Sequence, residues 1–221
     1  MRLKTLLTAA LAILTTTITA FAEKDNTMRV TMMIDDGPSE YTAQVLDILK
    51  EEGIHANFDL IGSNVEKYPD LARRILAEGH TVNDHSYRHG SPSKMTDEEL
   101  RADMKGGYEA ILKATGKAPL AYWPPYIEYD ARMDANLKEL GLIMYKFPVV
   151  VSGEVWDRPQ TGTEIRDRTL AGVQDGCVLL FHEWRQDTLE TFQETLKELK
   201  KRGCVFVSYE ELVAFDESLK Q

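Results

Sequence analysis

The residues able to do chemistry sit in short polar stretches, each placed after an apolar run. In "TMMIDDGPSEYTAQVLDIL" the run Thr31 to Ile34 leads directly into Asp35 and Asp36, ahead of a Gly37-Pro38 turn. Adjacent carboxylates repel unless a cation, a hydrogen-bond network or a retained proton relieves them, so this pair requires a partner from elsewhere in the chain. The stretch "NDHSYRH" offers one. His85 and His89 are four residues apart, a spacing that on one helical turn points both imidazoles the same way around a shared cation. Ser86 stands where the zincin version of this pairing has its glutamate. Two surface histidines after a strand are the plain structural alternative to HxxxH taken alone. Adding a carboxylate from the first strand end changes the balance: two His and one Asp leave coordination positions open for water and substrate, the pattern of a catalytic metal.

These groups need a scaffold. Strand-like and helix-like segments alternate: "RVTMMI", a helix over 41–52, "HANFDLIG", a helix over 69–78, "HTVND", and a long helix over 97–114 opened by "TDEE". There follow "APLAYW", a helix over 132–140, "LIMYKFPVVV", a helix over 162–171, "CVLLFH", a helix over 188–202, and "CVFVSY". Repeated βα units imply a parallel sheet wrapped by helices, and about seven strands in one short α/β domain predict a closed or nearly closed barrel. An open doubly wound sheet is the alternative. In either case functional groups gather at the carboxyl ends of the strands. Asp35-Asp36, "NDHSYRH", "WPPY" and "FHEW" all follow strands, so four strand ends converge on acids, histidines and aromatics.

Composition narrows the setting. The first 22 residues carry Arg2 and Lys4, an apolar run and Ala20-Phe21-Ala22, the pattern of a secretory leader with an A-x-A cleavage site, an uncleaved membrane anchor being its rival. The remaining 23–221 read as one domain without linker, repeat or low-complexity tract, and no second stretch is apolar enough to span a bilayer. The formal charge is −10 and becomes more negative once Arg2 and Lys4 leave, which disfavours nucleic acid, teichoic acid or anionic lipid as partners and suits neutral or cationic substrates. Two cysteines give no disulfide framework. Cys177 and Cys204 each open an apolar run, so they read either as a bridge between neighbouring strands or as two buried thiols.

Taken together, these motifs resemble the polysaccharide deacetylases with the NodB homology domain, carbohydrate esterase family 4. "MIDDGPS" is similar to that family's T-F-D-D-G-P-S, "EGHTVNDHSYRH" to its G-H-E-I-G-N-H-[ST]-x-x-H, "WPPY" to R-x-P-Y and "LLFH" to L-x-H, in the family's order over about 29–215. The resemblance implies a distorted (β/α) barrel and divalent-metal hydrolysis of N-acetyl groups on chitin, chito-oligosaccharides or peptidoglycan, or of O-acetyl groups on xylan. It casts Asp36, His85 and His89 as metal ligands and Asp35 as general base. His182 would be the general acid, and Tyr126, after Pro125, would supply a backbone N–H to the oxyanion. Trp123, Tyr126, Trp156 and Trp184 would meet sugar faces. Zinc is the expected ion, with cobalt, nickel or manganese compatible with the same ligands.

Two positions depart from the family. Trp123 replaces the arginine that normally holds the catalytic aspartate, leaving Arg88, Arg158 or Lys146 to reach in. Val155 precedes Trp156 where the family has the aspartate that tunes the histidine, leaving that role to Glu154 or Asp157. A catalytically weak, metal-containing glycan-binding module is therefore the second reading. Hydrolysis of a small cyclic amide is a third, and it sits poorly with export. Short loops predict an open groove able to take a polymer.

Overall fold

A computed structural model describes residues 27–147 and 149–215; the expected leader, 1–22, lies outside the described residues. The central element is β1 (Met28–Gly37), whose run from Val30 to Asp35 is buried throughout. An apolar run without polar alternation is what a strand covered on both faces requires. Val30, Met32 and Ile34 face an outer core shared with helices α1 (Thr42–Glu52) and α7 (Gln186–Lys201), through Leu46, Leu49, Phe192 and Leu196. Met33 faces the opposite way, into an inner core with Val178, Leu180, Trp123, Tyr145 and Tyr209.

All pairings are parallel. β1 lies between β2 (Asn57–Leu60) and β5 (Cys177–His182), β3 (Thr81–Asp84) adds beyond β2, and β4 (Val150–Ser152) beyond β5. β6 (Cys204–Phe206) pairs with the first residues of β1. Single parallel bridges, Asp84 to Tyr122 and Ala121 to Ile143, carry the sheet past β3 and curl it into the distorted barrel. The expected strand "APLAYW" is reduced to these bridges, since Pro119, Pro124 and Pro125 have no N–H for a ladder. "LIMYKFPVVV" is not one strand either: Ile143 makes one bridge, and regular pairing resumes only in β4.

Helices α3 (Pro69–Ala77), α4 (Asp97–Thr115), α5 (Met133–Leu140) and α6 (Gly162–Gly172) fall within a residue or two of expectation. A capping box explains the sharp start of α4: Thr96 Oγ1 accepts from the Glu99 N–H and Glu99 returns a bond to the Thr96 N–H. Two short helices, α2 (Gly62–Lys67) and α8 (Tyr209–Phe215), were not expected. α8 matters, because Tyr209, Leu212 and Val213 close the inner core. Cys177 and Cys204 are both buried free thiols, each set opposite β1 two residues apart, at Val30 and Met28.

Candidate active site

The first strand settles how two neighbouring carboxylates come to serve one site. Successive side chains of a regular strand point to opposite faces. Here the register with β2 slips between Asp35 and Gly37, leaving Asp36 as the extra residue of a bulge with φ 70°. Such a bulge re-aims a side chain. Both acids therefore face His85: its Nε2 lies 3.5 Å from Asp36 Oδ1 and 3.8 Å from Asp35 Oδ2. Gly37 is required beside them, because a Cβ there would stand 2.7 Å from the Glu183 carboxylate. Glu183 is buried, accepts from the Ser39 N–H at 2.8 Å and from the Thr42 hydroxyl, and so ties the turn after β1 to the end of β5. Burial pushes its carboxyl up to about 7.

His85 and His89 do not lie on a helical turn, contrary to expectation. The segment after β3 is an irregular loop with Ser86 at φ 67° and His89 at φ 55°. The rings still meet, with centroids 4.9 Å apart, because the loop is pinned from several sides. The Tyr87 N–H donates to the Asp103 carbonyl at 3.0 Å, the Arg88 N–H to Asp103 Oδ1 at 3.1 Å and the His89 N–H to Ser86 Oγ at 2.9 Å. His85 Nδ1–H donates to the Trp123 carbonyl at 2.6 Å, which fixes the tautomer and leaves the Nε2 lone pair facing Asp36. Burial holds the His85 pKa down to about 4, so the ring is neutral at ordinary pH.

Asp36 Oδ1 lies 3.2 Å from His89 Nε2, and the donor atoms of Asp36, His85 and His89 all fall within 4.8 Å of one another. Its other oxygen accepts from Trp184 Nε1–H at 2.8 Å, and its backbone carbonyl from Asn64 Nδ2–H at 2.8 Å. Asp36 Oδ1 is itself buried without a hydrogen-bond partner. An orphaned carboxylate oxygen beside two imidazole nitrogens, one of them locked as a lone-pair donor, fits a divalent cation.

Asp35 is 3% exposed, and no lysine or arginine pairs with it among the described residues. The candidates for replacing the missing arginine are engaged elsewhere: Arg88 with Asp103, Arg158 with Glu164, and Lys146 over the Tyr129 ring. Burial, then the charges of Asp59 and Asp36, push the Asp35 carboxyl well above the usual range. Burial also raises Asp59, to about 7.

The second departure is resolved more simply. Glu154, not the exposed Asp157, is the partner of His182. Its Oε2 accepts from His182 Nδ1, and its Oε1 accepts from the His182 N–H at 3.2 Å and from the Thr188 hydroxyl. His182 Nε2 is left facing the site, 4.0 Å from Asp36 Oδ2.

Asp35, Asp36, His85, His89 and His182 line a cavity of about 590 Å³ with Trp123, Tyr126, Ile127, Trp156, Leu180 and Trp184. Tyr126, Trp156 and Trp184 are exposed at its mouth, and Trp156 meets His182 edge-on with centroids 4.8 Å apart. Trp123 is different: it is 5% exposed and packs against Phe147, so it forms the cavity floor, and Pro125 is likewise buried. Tyr126 holds a left-handed φ of 60°, which turns its peptide at the cavity edge. Sequence reasoning missed Asp59, Glu183 and Thr188. A signal existed for Asp59, an acid inside the otherwise apolar end of "HANFDLIG".

Comparison with known proteins identifies the family. Residues 22–145 match the polysaccharide deacetylase family. The chain is 33% identical over 83% of its length to the peptidoglycan-N-acetylglucosamine deacetylase PgdA of Listeria monocytogenes, of which it spans 38%. It is 31% identical to a peptidoglycan-N-acetylglucosamine deacetylase of Bacillus cereus, covering 86% of this chain and 91% of that one. The structure of the peptidoglycan deacetylase PdaC from Bacillus subtilis superposes with a TM-score of 0.76 at 28% identity, covering 87% of this chain and 93% of that one. With the motifs in order, the barrel formed and the matched relatives deacetylases, the chain belongs to the polysaccharide deacetylase family.

Proposed function

We propose that this protein is a metal-dependent deacetylase that removes acetyl groups from an N-acetylglucosamine-containing glycan outside the cytosol, to which the leader 1–22 would direct it. The observation that carries this is one cavity joining the three ligand atoms of Asp36, His85 and His89 to a second buried acid, Asp35, and to the His182–Glu154 pair. Asp36, His85 and His89 would hold the ion. When bound, it supplies Lewis-acid polarisation of the acetyl carbonyl and acidifies a water.

The remaining chemistry belongs to the chain. Asp35 accepts the proton of the attacking water, an anionic role that the positive charge of the ion favours over the neutral acid preferred in an empty site. The Tyr126 peptide N–H faces the developing oxyanion. His182, kept protonated on Nδ1 by Glu154, delivers a proton from Nε2 to the leaving nitrogen as the tetrahedral intermediate collapses. Trp156 and Trp184 offer faces for sugar rings at the mouth, and Trp123 closes the floor against water. The names of the relatives favour the N-acetyl over the O-acetyl bond.

The test is acetate release from an N-acetylglucosamine oligosaccharide and from acetylated xylan, with chelator and then with zinc or cobalt restored. Metal-restored release from the oligosaccharide is expected. No release from either substrate with the ion bound would overturn the enzymatic reading in favour of a glycan-binding module.

A further inference from the structure

Among the described residues, five other than glycine hold left-handed backbone: Asp36, Ser86, His89, Tyr126 and Ile127. All five lie on the loops that build the site. Ile127 is the least suited of them, since a branched Cβ makes a positive φ especially unfavourable and such a backbone ordinarily takes glycine or asparagine. Two overlapping turns impose it. The Ile127 N–H donates to the Pro124 carbonyl and the Glu128 N–H to the Pro125 carbonyl, both at 3.1 Å, so Tyr126 and Ile127 are the central pair of the second turn. Left-handed φ at both central residues, 60° and 57°, is the mirror-image turn geometry that favours asparagine and glycine. Both flanks are fastened to the His89 loop, which keeps the turn from relaxing. The Tyr126 and His89 rings meet with centroids 4.8 Å apart, and the Glu128 carboxylate accepts from the Ser91 hydroxyl at 2.7 Å. Ile127 gains little from folding in return: it is 51% exposed, and it lines the cavity of about 590 Å³ with Tyr126. An unfavourable backbone that holds an uncovered apolar side chain at a cavity mouth is offset when a ligand covers that side chain.

We propose that Ile127 is a specificity-determining residue: its fixed left-handed backbone holds the apolar side chain at the cavity mouth, where it packs on the C–H face of a sugar ring of the substrate. The proposal rests on the reading of the site as a glycan deacetylase. It adds a residue that recognises the sugar rather than the acetyl group.

The experiment compares Ile127→Asn, Ile127→Ala and Ile127→Leu in the zinc-loaded protein acting on an N-acetylglucosamine oligosaccharide. Melting temperature is measured for each, and oligosaccharide Kd is measured by calorimetric titration of the chelator-treated protein. Asparagine suits the backbone but lacks the apolar reach, so the melting temperature is expected to rise by about 2–4 °C. KM and Kd are expected to rise by about 5-fold with kcat within about 2-fold of the parent, the mark of lost binding common to ground and transition states. Alanine loses the same reach without suiting a positive φ, so KM and Kd should rise alike while the melting temperature stays about 2 °C or more below that of the asparagine variant. Leucine keeps the reach, and its KM is expected within about 2-fold of the parent, a rescue that a general disturbance of the turn would not give. An asparagine variant with the parent's KM and Kd would overturn the proposal, as would one no more stable than the parent or a leucine variant as impaired as alanine. Should the parent bind the oligosaccharide and release no acetate, the deacetylase reading fails, and the Kd series still decides the role of Ile127. A parent that neither binds nor cleaves it would overturn both.

Discussion

Replacing Glu154 with glutamine isolates one charge at nearly constant shape. The Glu154 side chain is fully buried beside His182, and its two oxygens serve His182 Nδ1, the His182 N–H and the Thr188 hydroxyl. Its attraction for an imidazolium, with charge centres ~4 Å apart and an effective dielectric constant of about 20, amounts to about 4 kcal/mol. A neutral amide retains a hydrogen bond worth about 1 kcal/mol, leaving a net loss of about 3 kcal/mol. Any step in which His182 must carry a proton to the leaving group should slow by roughly 10²-fold. An aryl ester differs, because its phenolate leaves without protonation. The assay is therefore kcat for Glu154→Gln on an N-acetylglucosamine oligosaccharide and on 4-nitrophenyl acetate, with bound zinc and melting temperature checked. The expected outcome is a loss of about 10²-fold on the amide and under about 10-fold on the ester. Equal losses on both would mean that Glu154 only shapes the site, and a loss below about 3-fold on the amide would refute the acid role of His182.

Trp184→Phe keeps an aromatic face but removes the 2.8 Å bond to Asp36 Oδ2, so zinc affinity by calorimetric titration should fall by about 10-fold; an unchanged Kd would refute the role of Trp184 in orienting the ligand. Gly107→Ala would put a Cβ 2.0 Å from Asp84 Oδ1 and 2.8 Å from the Ser86 backbone. It should cost about 2–3 kcal/mol in denaturant unfolding and lower metal occupancy by shifting the His85–His89 loop, and wild-type values for both would count against that packing. His80 is buried, accepts the Ala56 N–H at Nδ1 and has its pKa lowered to about 4 from 6.5. The unfolded chain then binds the extra proton first, so stability is full above about pH 6.5 and falls as the pH drops toward 4, by about 3 kcal/mol in all. Subtracting the pH–stability curve of His80→Gln should remove that component, and a difference curve rising toward acid would contradict it.

The sequence alone determined the parts whose information is local. Apolar runs, helix periodicity and the Thr96–Glu99 cap marked most strands and helices within a residue or two, because periodicity and capping depend on neighbours a few positions away. The candidate metal ligands were legible for a related reason: two imidazoles and an acid are chemically distinctive wherever the chain later puts them. Their geometry was not legible. His85 and His89 meet for a reason other than helical spacing, since an irregular loop pinned by Asp103 and the Trp123 carbonyl brings the rings together. The bulge that lets Asp35 and Asp36 share a site is a register slip between β1 and β2, and register is set by packing of the whole sheet. The choice of Glu154 over Asp157 followed from burial, and the failure of Arg88, Arg158 and Lys146 to reach Asp35 from their partners elsewhere. Asp59 and Tyr209, 24 and 174 residues beyond Asp35, became its neighbours only through strand pairing and the docking of the last helix. Chemistry that depends on residue type can be read along the chain; chemistry that depends on which side chains touch across strands is decided by the fold.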